Sequence, residues 1–131
     1  MKYINKKLTI ENVKVQNIAK KFGTPAFCYS YDQLKKNINN FKRSFKSFSP
    51  LICFAIKSNT NVNLISEIRK LGLGADVVSM GELMKALKAG IKPNKIVFSG
   101  VGKTVEEIKY AINKKILLIN AESKSEIFEI E

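Results

Sequence analysis

Histidine is absent from this sequence of 131 residues. Its absence excludes a histidine general base, a catalytic triad that uses histidine and a histidine metal site within the chain. Long apolar runs are absent too, and none approaches the roughly 20 residues that a helix needs to cross a bilayer. The amino terminus lacks the apolar stretch of a signal peptide. We therefore expect a cytoplasmic location and no membrane partner.

Cysteine is scarce, with Cys28 and Cys53 alone and no C-x-x-C spacing. Both cysteines lie in short apolar runs that are typical of strands. This placement favours buried free thiols over a disulfide or a metal site. We expect no bound metal.

Basic residues, by contrast, are abundant: 23 Lys and Arg face 11 Asp and Glu, giving a net charge of +12. Such a charge raises the question of a nucleic-acid partner. The lysines are spread along the whole chain, however, and many occupy polar positions of amphipathic helices, as Lys35 and Lys36 do. We therefore predict a solvated basic surface and no nucleic-acid partner.

Short apolar runs alternate with helical periodicity along most of the chain. The predicted buried strands are residues 26–29, 51–56, 75–78, 96–98 and 116–119. Four helical segments begin with a capping-box pattern: Ser30 with Gln33, Ser79 with Glu82, Thr104 with Glu107, and Ser123 with Glu126. Apolar strands that alternate with capped helices predict an α/β fold with a parallel sheet covered by helices.

Two closures suit this pattern, an open doubly wound sheet and a (β/α)8 barrel of the TIM type. The sequence stops in the first turn of a helix. That end favours an incomplete barrel with about five strands, although an open five-stranded sheet remains an alternative.

The segment Ser99–Thr104, S-G-V-G-K-T, resembles a phosphate-binding loop. The motif G-x-x-x-x-G-K-[ST] requires a glycine at position 97, where this chain has Val97. Without that glycine we interpret the segment as a turn between a strand and a helix.

Two charged residues follow or interrupt the apolar runs. Lys57 comes directly after six apolar residues, at the carboxyl end of a predicted strand, where barrels place their chemistry. It is either the point at which the strand reaches solvent or a partly desolvated amine able to attack a carbonyl group. Asp76 lies between Ala75 and Val77. It needs a partner such as a strand-end lysine if it is buried, or else it lies at the edge of a short strand.

Five segments together resemble the diaminopimelate decarboxylase family in order and spacing. They are F-G-T-P-A-F-C-Y-S (22–30), F-A-I-K-S-N (54–59), G-A-D-V-V-S-M-G-E-L (74–83), I-V-F-S-G-V-G-K-T (96–104) and I-N-A-E-S (119–123). The resemblance covers almost the whole chain. It implies the N-terminal part of an alanine-racemase-like barrel that binds pyridoxal 5'-phosphate, with residues 1–24 as a lead-in segment and residues 25–131 as a partial barrel domain.

The resemblance also implies roles for particular residues. Lys57 matches the lysine that holds the cofactor as a Schiff base, and Asp76 matches an aspartate of the cofactor pocket. The implied reaction is decarboxylation of meso-diaminopimelate to L-lysine, and a homodimer is implied for the full-length enzyme. Ser58 differs from the alanine that more often follows the lysine. Because the family's other cofactor-binding residues lie downstream, we expect the chain to be inactive alone.

Other activities remain open within the same resemblance. Ornithine, arginine and carboxynorspermidine decarboxylases share the fold, and ornithine and arginine decarboxylases share the motifs of Lys57 and Asp76. The S-G-V-G-K-T segment favours the diaminopimelate branch. A barrel-derived binding protein without catalysis is a further alternative, against which the presence of Lys57 argues.

Overall fold

The computed structural model describes residues 1–45 and 47–131, which divide into two compact units, Met1–Phe48 and Ser49–Glu131. The first unit contains β1 (Lys2–Ile4), β2 (Lys7–Ile10), β3 (Val13–Lys14), α1 (Val15–Phe22) and α2 (Tyr31–Ser44). The second contains β4 (Cys53–Ala55), α3 (Val62–Lys70), β5 (Gly74–Val77), α4 (Met80–Lys88), β6 (Ile96–Phe98), α5 (Val105–Asn113), β7 (Leu118–Ile119) and α6 (Lys124–Ile130). Two short 3-10 helices, Ile56–Ser58 and Pro93–Lys95, precede α3 and β6 respectively.

The first unit begins with a small antiparallel sheet in the order β1-β2-β3. Its first hairpin turns at Asn5 and Lys6, both of which have positive φ angles, the conformation of tight primed turns. Thr9 is buried and donates from Oγ1 to the Lys2 carbonyl at 3.0 Å. Sequence patterning assigned residues 1–24 only to a lead-in segment and did not predict this sheet.

The strand predicted at residues 26–29 is wrong. Residues 23–30 form neither helix nor strand, the Phe27 side chain is 92% exposed, and Cys28 is exposed rather than buried. A strand is stabilised by hydrogen bonds to a neighbouring strand, and no described strand pairs with this segment.

Helix α2 begins as its sequence predicts, but its capping box is incomplete. Ser30 Oγ accepts from the Gln33 N–H at 3.1 Å, whereas the Gln33 side chain donates to Asn37 instead of returning to the cap. The Glu11 carboxylate binds other donors at the start of the helix, accepting from Ser30 Oγ at 2.8 Å and from the Asp32 N–H at 3.0 Å. These bonds lower the pKa of Glu11, the Asp32 N–H contributing most.

The second unit contains a parallel sheet in the order β4-β5-β6-β7. Ala55 pairs with Asp76 and Asp76 with Val97, while Phe98 pairs with Ile119. The predicted parallel α/β arrangement is confirmed, with four described strands in this sheet rather than five. Among the described strands, β4 and β7 lie at the two edges of this sheet, as expected of an incomplete barrel.

The core of the second unit lies between one face of the sheet and the helices. Alternate strand residues point to this face, because successive side chains in a strand point to opposite sides. The fully buried members are Ala75, Val77, Ile96 and Phe98 from the strands, and Ile65, Leu83, Ala86 and Ala111 from the helices. The interleaved strand residues therefore lie on the opposite face.

Among the three later capping boxes predicted from sequence, the pattern is complete at α5 alone, where Thr104 and Glu107 bond reciprocally. At α4 and α6 the serine accepts from the glutamate N–H as expected. The carboxylates of Glu82 and Glu126, however, accept from the N–H one residue before the cap, at Val78 and Glu122. Each of these glutamates thus caps the start of its helix, but it binds the N–H one residue before the position that a capping box uses.

Glu107 also joins two helices. Its Oε1 accepts from the Met80 N–H at the start of α4 at 2.8 Å, and its Oε2 accepts from the Thr104 N–H at 3.1 Å. These bonds, the Met80 bond first, hold the pKa of Glu107 below its usual value. The first turns of α4 and α5 are therefore held together by one carboxylate.

Candidate functional site

Lys57 lies in the 3-10 helix Ile56–Ser58, directly after strand β4. The preceding Ile56 is fully buried in the core, and Ser58 Oγ closes the turn by donating to the Ala55 carbonyl at 2.8 Å. Lys57 itself is exposed. The structure thus places the amine at the carboxyl end of a parallel strand, as the apolar run predicts. Because Lys57 is exposed, the partial desolvation expected of it is not seen among the described residues.

Asp76 lies in the neighbouring central strand β5, paired with Ala55 on one side and Val97 on the other. The residue is half-buried, and its Oδ1 atom is buried without a hydrogen-bond partner among the described residues. A buried carboxylate oxygen without a partner is costly. Of the two alternatives for Asp76, the structure favours the buried carboxylate that needs a partner. The expected ion pair with a strand-end lysine is not formed within the described part of the chain.

Asp76 points to the face of the sheet opposite the core. Its strand neighbours Ala75 and Val77 are both fully buried against the helices, so the alternation of the strand turns Asp76 to the other side. We call this second side the ligand face; its strand residues are Cys53, Ala55, Gly74, Asp76, Val97 and Leu118.

Cys53 lies on the ligand face near Asp76 and is half-buried. Burial of the thiol, and secondarily the charge of Asp76, raises the pKa of Cys53. The thiol is therefore held in its protonated form, which is a poor nucleophile. Cys53 fits a packing role at this face, consistent with the free thiol predicted from sequence.

Two further polar residues, Ser99 and Asn120, continue the ligand face beyond β6 and β7. The Ser99 N–H donates to the Val77 carbonyl and the Asn120 N–H to the Phe98 carbonyl, each at 2.9 Å, so the parallel ladder extends through both. Asn120 Nδ2 donates to Ser99 Oγ at 2.9 Å. Sequence reasoning did not select them as site residues. Their position directly after two apolar strand runs was the signal that could have found them.

The S-G-V-G-K-T segment forms the turn between β6 and α5, as predicted from the missing glycine. Its lysine, Lys103, donates to the carbonyls of Gly100 and Asn120 and to the carboxylate of Glu126. All these acceptors belong to the protein itself. Lys103 is therefore not oriented as a phosphate-binding lysine would be.

The carboxyl ends of the four parallel strands thus carry an amine, a carboxylate and a hydroxyl–amide pair. This combination suits a small polar ligand with a carbonyl group and several hydrogen-bonding atoms. Within the described residues, no group of three or more His, Cys, Asp or Glu side chains could hold a metal ion. Among the described helices, none has the length and apolar character needed to span a membrane.

Comparison with known proteins agrees with this geometry. Residues 31–131 match the family model described as "Pyridoxal-dependent decarboxylase, pyridoxal binding domain". A diaminopimelate decarboxylase from Helicobacter pylori is 49% identical over 110 residues, which are 84% of this chain and 27% of that protein.

Solved structures give the same result. A diaminopimelate decarboxylase from M. jannaschi is similar with a TM-score of 0.94 at 36% identity, over 98% of this chain and 31% of that one. A diaminopimelate decarboxylase from H. pylori complexed with L-lysine is similar with a TM-score of 0.86 at 44% identity, over 90% of this chain and 30% of that one. Ornithine and arginine decarboxylase structures match at 20–25% identity. The chain spans about 30% of the length of the relatives that it matches.

Proposed function

Because the chain belongs to the family of the pyridoxal binding domain of pyridoxal-dependent decarboxylases, we propose that it serves the decarboxylation of meso-diaminopimelate to L-lysine. The observation that carries the proposal is the buried, unpartnered Oδ1 of Asp76 on the ligand face, in the strand next to the one that ends at Lys57. Identities of 42–49% to diaminopimelate decarboxylases support the choice of substrate.

The residues present fit pyridoxal 5'-phosphate. Lys57 would hold the cofactor through its exposed amine, and Asp76 would offer its unpartnered oxygen to a hydrogen-bond donor or a positive group of the bound cofactor. When bound, the cofactor serves as the electron sink for the electron pair that remains after CO2 departs. The chain's own contribution is attachment at Lys57 and orientation by the polar groups of the ligand face.

The organisation of the whole protein belongs to the same proposal. We propose that residues 25–131 are part of a (β/α)8 barrel domain that residues 1–24 precede. We propose also that the protein acts as a homodimer in the cytoplasm on an amino-acid substrate. The family resemblance supports the barrel and the dimer. A relative of the chain has been solved with L-lysine bound, which supports an amino-acid ligand.

Labelling at Lys57 tests the attachment. The purified chain is incubated with pyridoxal 5'-phosphate, reduced with borohydride and digested, and the modified lysine is located by mass spectrometry. We expect Lys57 to be modified faster than the other exposed lysines. Lys57→Ala should remove the fast phase, whereas Lys109→Ala, which removes an exposed lysine of α5, should leave it intact. Equal labelling rates at Lys57 and at the surface lysines would contradict the proposal.

The substrate is tested by activity. In the full-length enzyme, Lys57→Ala should abolish release of CO2 from meso-diaminopimelate. A preference for ornithine or arginine over meso-diaminopimelate would reassign the substrate within the family while leaving the role of Lys57 unchanged.

A further inference from the structure

The side chain of Lys103, in the turn between β6 and α5, is buried, with 1% of its surface exposed. Its Nζ atom donates to the carbonyl of Gly100 at 2.7 Å, to the carbonyl of Asn120 at 2.7 Å and to Glu126 Oε1 at 2.9 Å. A lysine ammonium group has three protons. All three are therefore used, and the full positive charge is matched by one carboxylate and two carbonyl dipoles.

These three bonds join separate parts of the ligand-face edge. Gly100 belongs to the turn after β6, Asn120 to the turn after β7, and Glu126 to the first turn of α6. Glu126 is itself fixed, because its side chain is 10% exposed and its Oε2 accepts from the Glu122 N–H. Two turns at the carboxyl edge of the sheet thus depend on a single lysine.

The same turns carry the Ser99–Asn120 pair. Ser99 and Asn120 lie two residues beyond Val97 and Leu118 in the parallel ladder, so their side chains share the ligand face with Asp76. Ser99 Oγ accepts the Asn120 amide, and accepting that bond leaves the hydroxyl proton available for donation. The hydrogen bond from Lys103 to the Asn120 carbonyl fixes the backbone of Asn120. The position of the Asn120 side-chain amide depends on that backbone.

We propose that Lys103 is a positioning residue that holds Ser99 and Asn120 as a polar pair, and that Ser99 then donates a hydrogen bond to the ligand bound beside Asp76. The identity of that ligand as pyridoxal 5'-phosphate or its amino-acid adduct rests on the proposed function. The positioning role itself rests on the three bonds of Lys103.

The chain contains a matched control for this role. Lys70 and Glu67 form an ion pair of 2.7 Å on the surface of α3, with side chains 55% and 37% exposed. This pair joins residues of a single helix, whereas Lys103 joins separate elements. Replacing Lys70 removes a lysine and an ion pair of similar length without touching the ligand face.

The test uses the purified chain labelled with nitrogen-15, and compares Lys103→Met with Lys70→Met. Two signals are followed by NMR below the unfolding temperature: the side-chain amide of Asn120, and amide hydrogen exchange in residues 99–103 and 120–123. In Lys103→Met we expect the Asn120 side-chain amide to move to the position of an asparagine amide that makes no hydrogen bond. Exchange in both turns should be faster by about tenfold or more, because the variant loses the charged bonds by which Lys103 joins the two turns to Glu126. Lys70→Met should change neither signal.

Two further variants keep the test decisive. Glu126→Gln retains an acceptor for Lys103 and is expected to fold even where Lys103→Met does not; it should shift the same signals by a smaller amount. Ser99→Ala should release the Asn120 side-chain amide while the turns remain protected from exchange. Wild-type signals in a folded Lys103→Met or Glu126→Gln variant would overturn the positioning role.

The link to the ligand is read from the rate at which pyridoxal 5'-phosphate and borohydride label Lys57. Lys103→Met and Ser99→Ala should slow this labelling by about fivefold or more, the effect of losing one ligand hydrogen bond, and Lys70→Met should not. An unchanged rate in both folded variants overturns the ligand role of Ser99. If Lys57 of the wild-type chain shows no selective labelling, the proposed function fails, and the NMR signals alone decide the role of Lys103.

Discussion

A Cβ atom added to Gly74 would lie 2.2 Å from the Lys95 carbonyl oxygen and 3.0 Å from Cys53 Sγ. Backbone atoms of neighbouring segments cannot withdraw as a flexible side chain can. We expect Gly74→Ala to lower the free energy of unfolding by about 1–3 kcal/mol, the usual cost of overpacking. Urea denaturation followed by circular dichroism measures the change.

Gly81 provides the control for this substitution. It lies in α4, where an added Cβ would meet nothing closer than Ser79 Oγ at 3.9 Å. Gly81→Ala should leave stability unchanged or raise it by up to about 1 kcal/mol, because alanine favours helices over glycine. A Gly74→Ala variant as stable as Gly81→Ala would show that the close approach to Lys95 is absent in solution.

The two cysteines are expected to differ in reactivity. Burial and the charge of Asp76 raise the pKa of the Cys53 thiol, whereas Cys28 is exposed. Since the thiolate is the reactive form, a disulfide reagent near pH 8 should modify Cys28 rapidly and Cys53 slowly. Single Cys→Ser variants assign the two phases. A fast phase that survives Cys28→Ser would contradict the half-buried position and raised pKa of Cys53.

At the scale of single elements, Glu107 makes the start of α5 sensitive to acid. Its pKa is lowered from 4.5 by bonds from Met80 and Thr104, so the folded value lies below the unfolded one. The carboxylate therefore contributes stability above the unfolded pKa, and this contribution is lost as the pH falls through the folded pKa.

Glu107→Gln tests this contribution by urea denaturation at several pH values. We expect a loss of about 1 kcal/mol at pH 7, typical of a helix cap, which should shrink as the pH falls below 4.5 and through the lowered pKa of the folded state. Glu106→Gln, on an exposed neighbour in the same turn, should show little change at any of these pH values. A cost for Glu107→Gln that did not fall with pH would exclude its carboxylate as the cause.

Elements that depend on local patterns were predictable from sequence. Helices α4 and α5 follow from their caps and apolar spacing. Strand β6 follows from its continuous apolar run, and β5 from an apolar run that Asp76 alone interrupts. The run at residues 26–29 has the same local character but no described partner strand, and pairing is a long-range property that the run itself does not encode. The sheet of β1, β2 and β3 was missed because its strands are only two to four residues long and its first turn, Asn5-Lys6, lacks the glycine that marks most two-residue hairpins.

The residues of the candidate site likewise divide into those that the local sequence reveals and those that depend on contacts between distant segments. Lys57 and Asp76 stand out in sequence because each is a charge among apolar residues. Ser99 and Asn120 are ordinary polar residues that become a pair through the register of β6 and β7. Lys103 had a misleading local motif, and its role depends on Glu126, which lies 23 residues away.

At the scale of the whole molecule, the sheet of the second unit has an exposed apolar edge. Leu117 and Leu118 at strand β7 are 51% and 50% exposed. Exposed apolar edge strands promote association between chains. The net charge of +12 opposes association through repulsion, which salt screens. We expect sedimentation velocity to show association that increases with protein and salt concentration.

Leu118→Lys should reduce that association, because it places a charge on the edge strand. The control is Ile112→Lys, since Ile112 is 47% exposed but lies on helix α5. Association that Ile112→Lys suppresses as strongly as Leu118→Lys would indicate general apolar contact rather than edge pairing.

The carboxylate of Glu107 bridges the starts of α4 and α5, and that of Glu126 bridges the turn before α5 to α6. Any attempt to divide the second unit into two separately expressed pieces between α4 and α6 would therefore cut through one of these bridges. A break between α5 and α6 would leave the ammonium of Lys103 buried in one piece and its carboxylate in the other. The βα units of this chain are consequently poor modules for exchange one at a time, and recombination with a relative should keep residues 74–131 together.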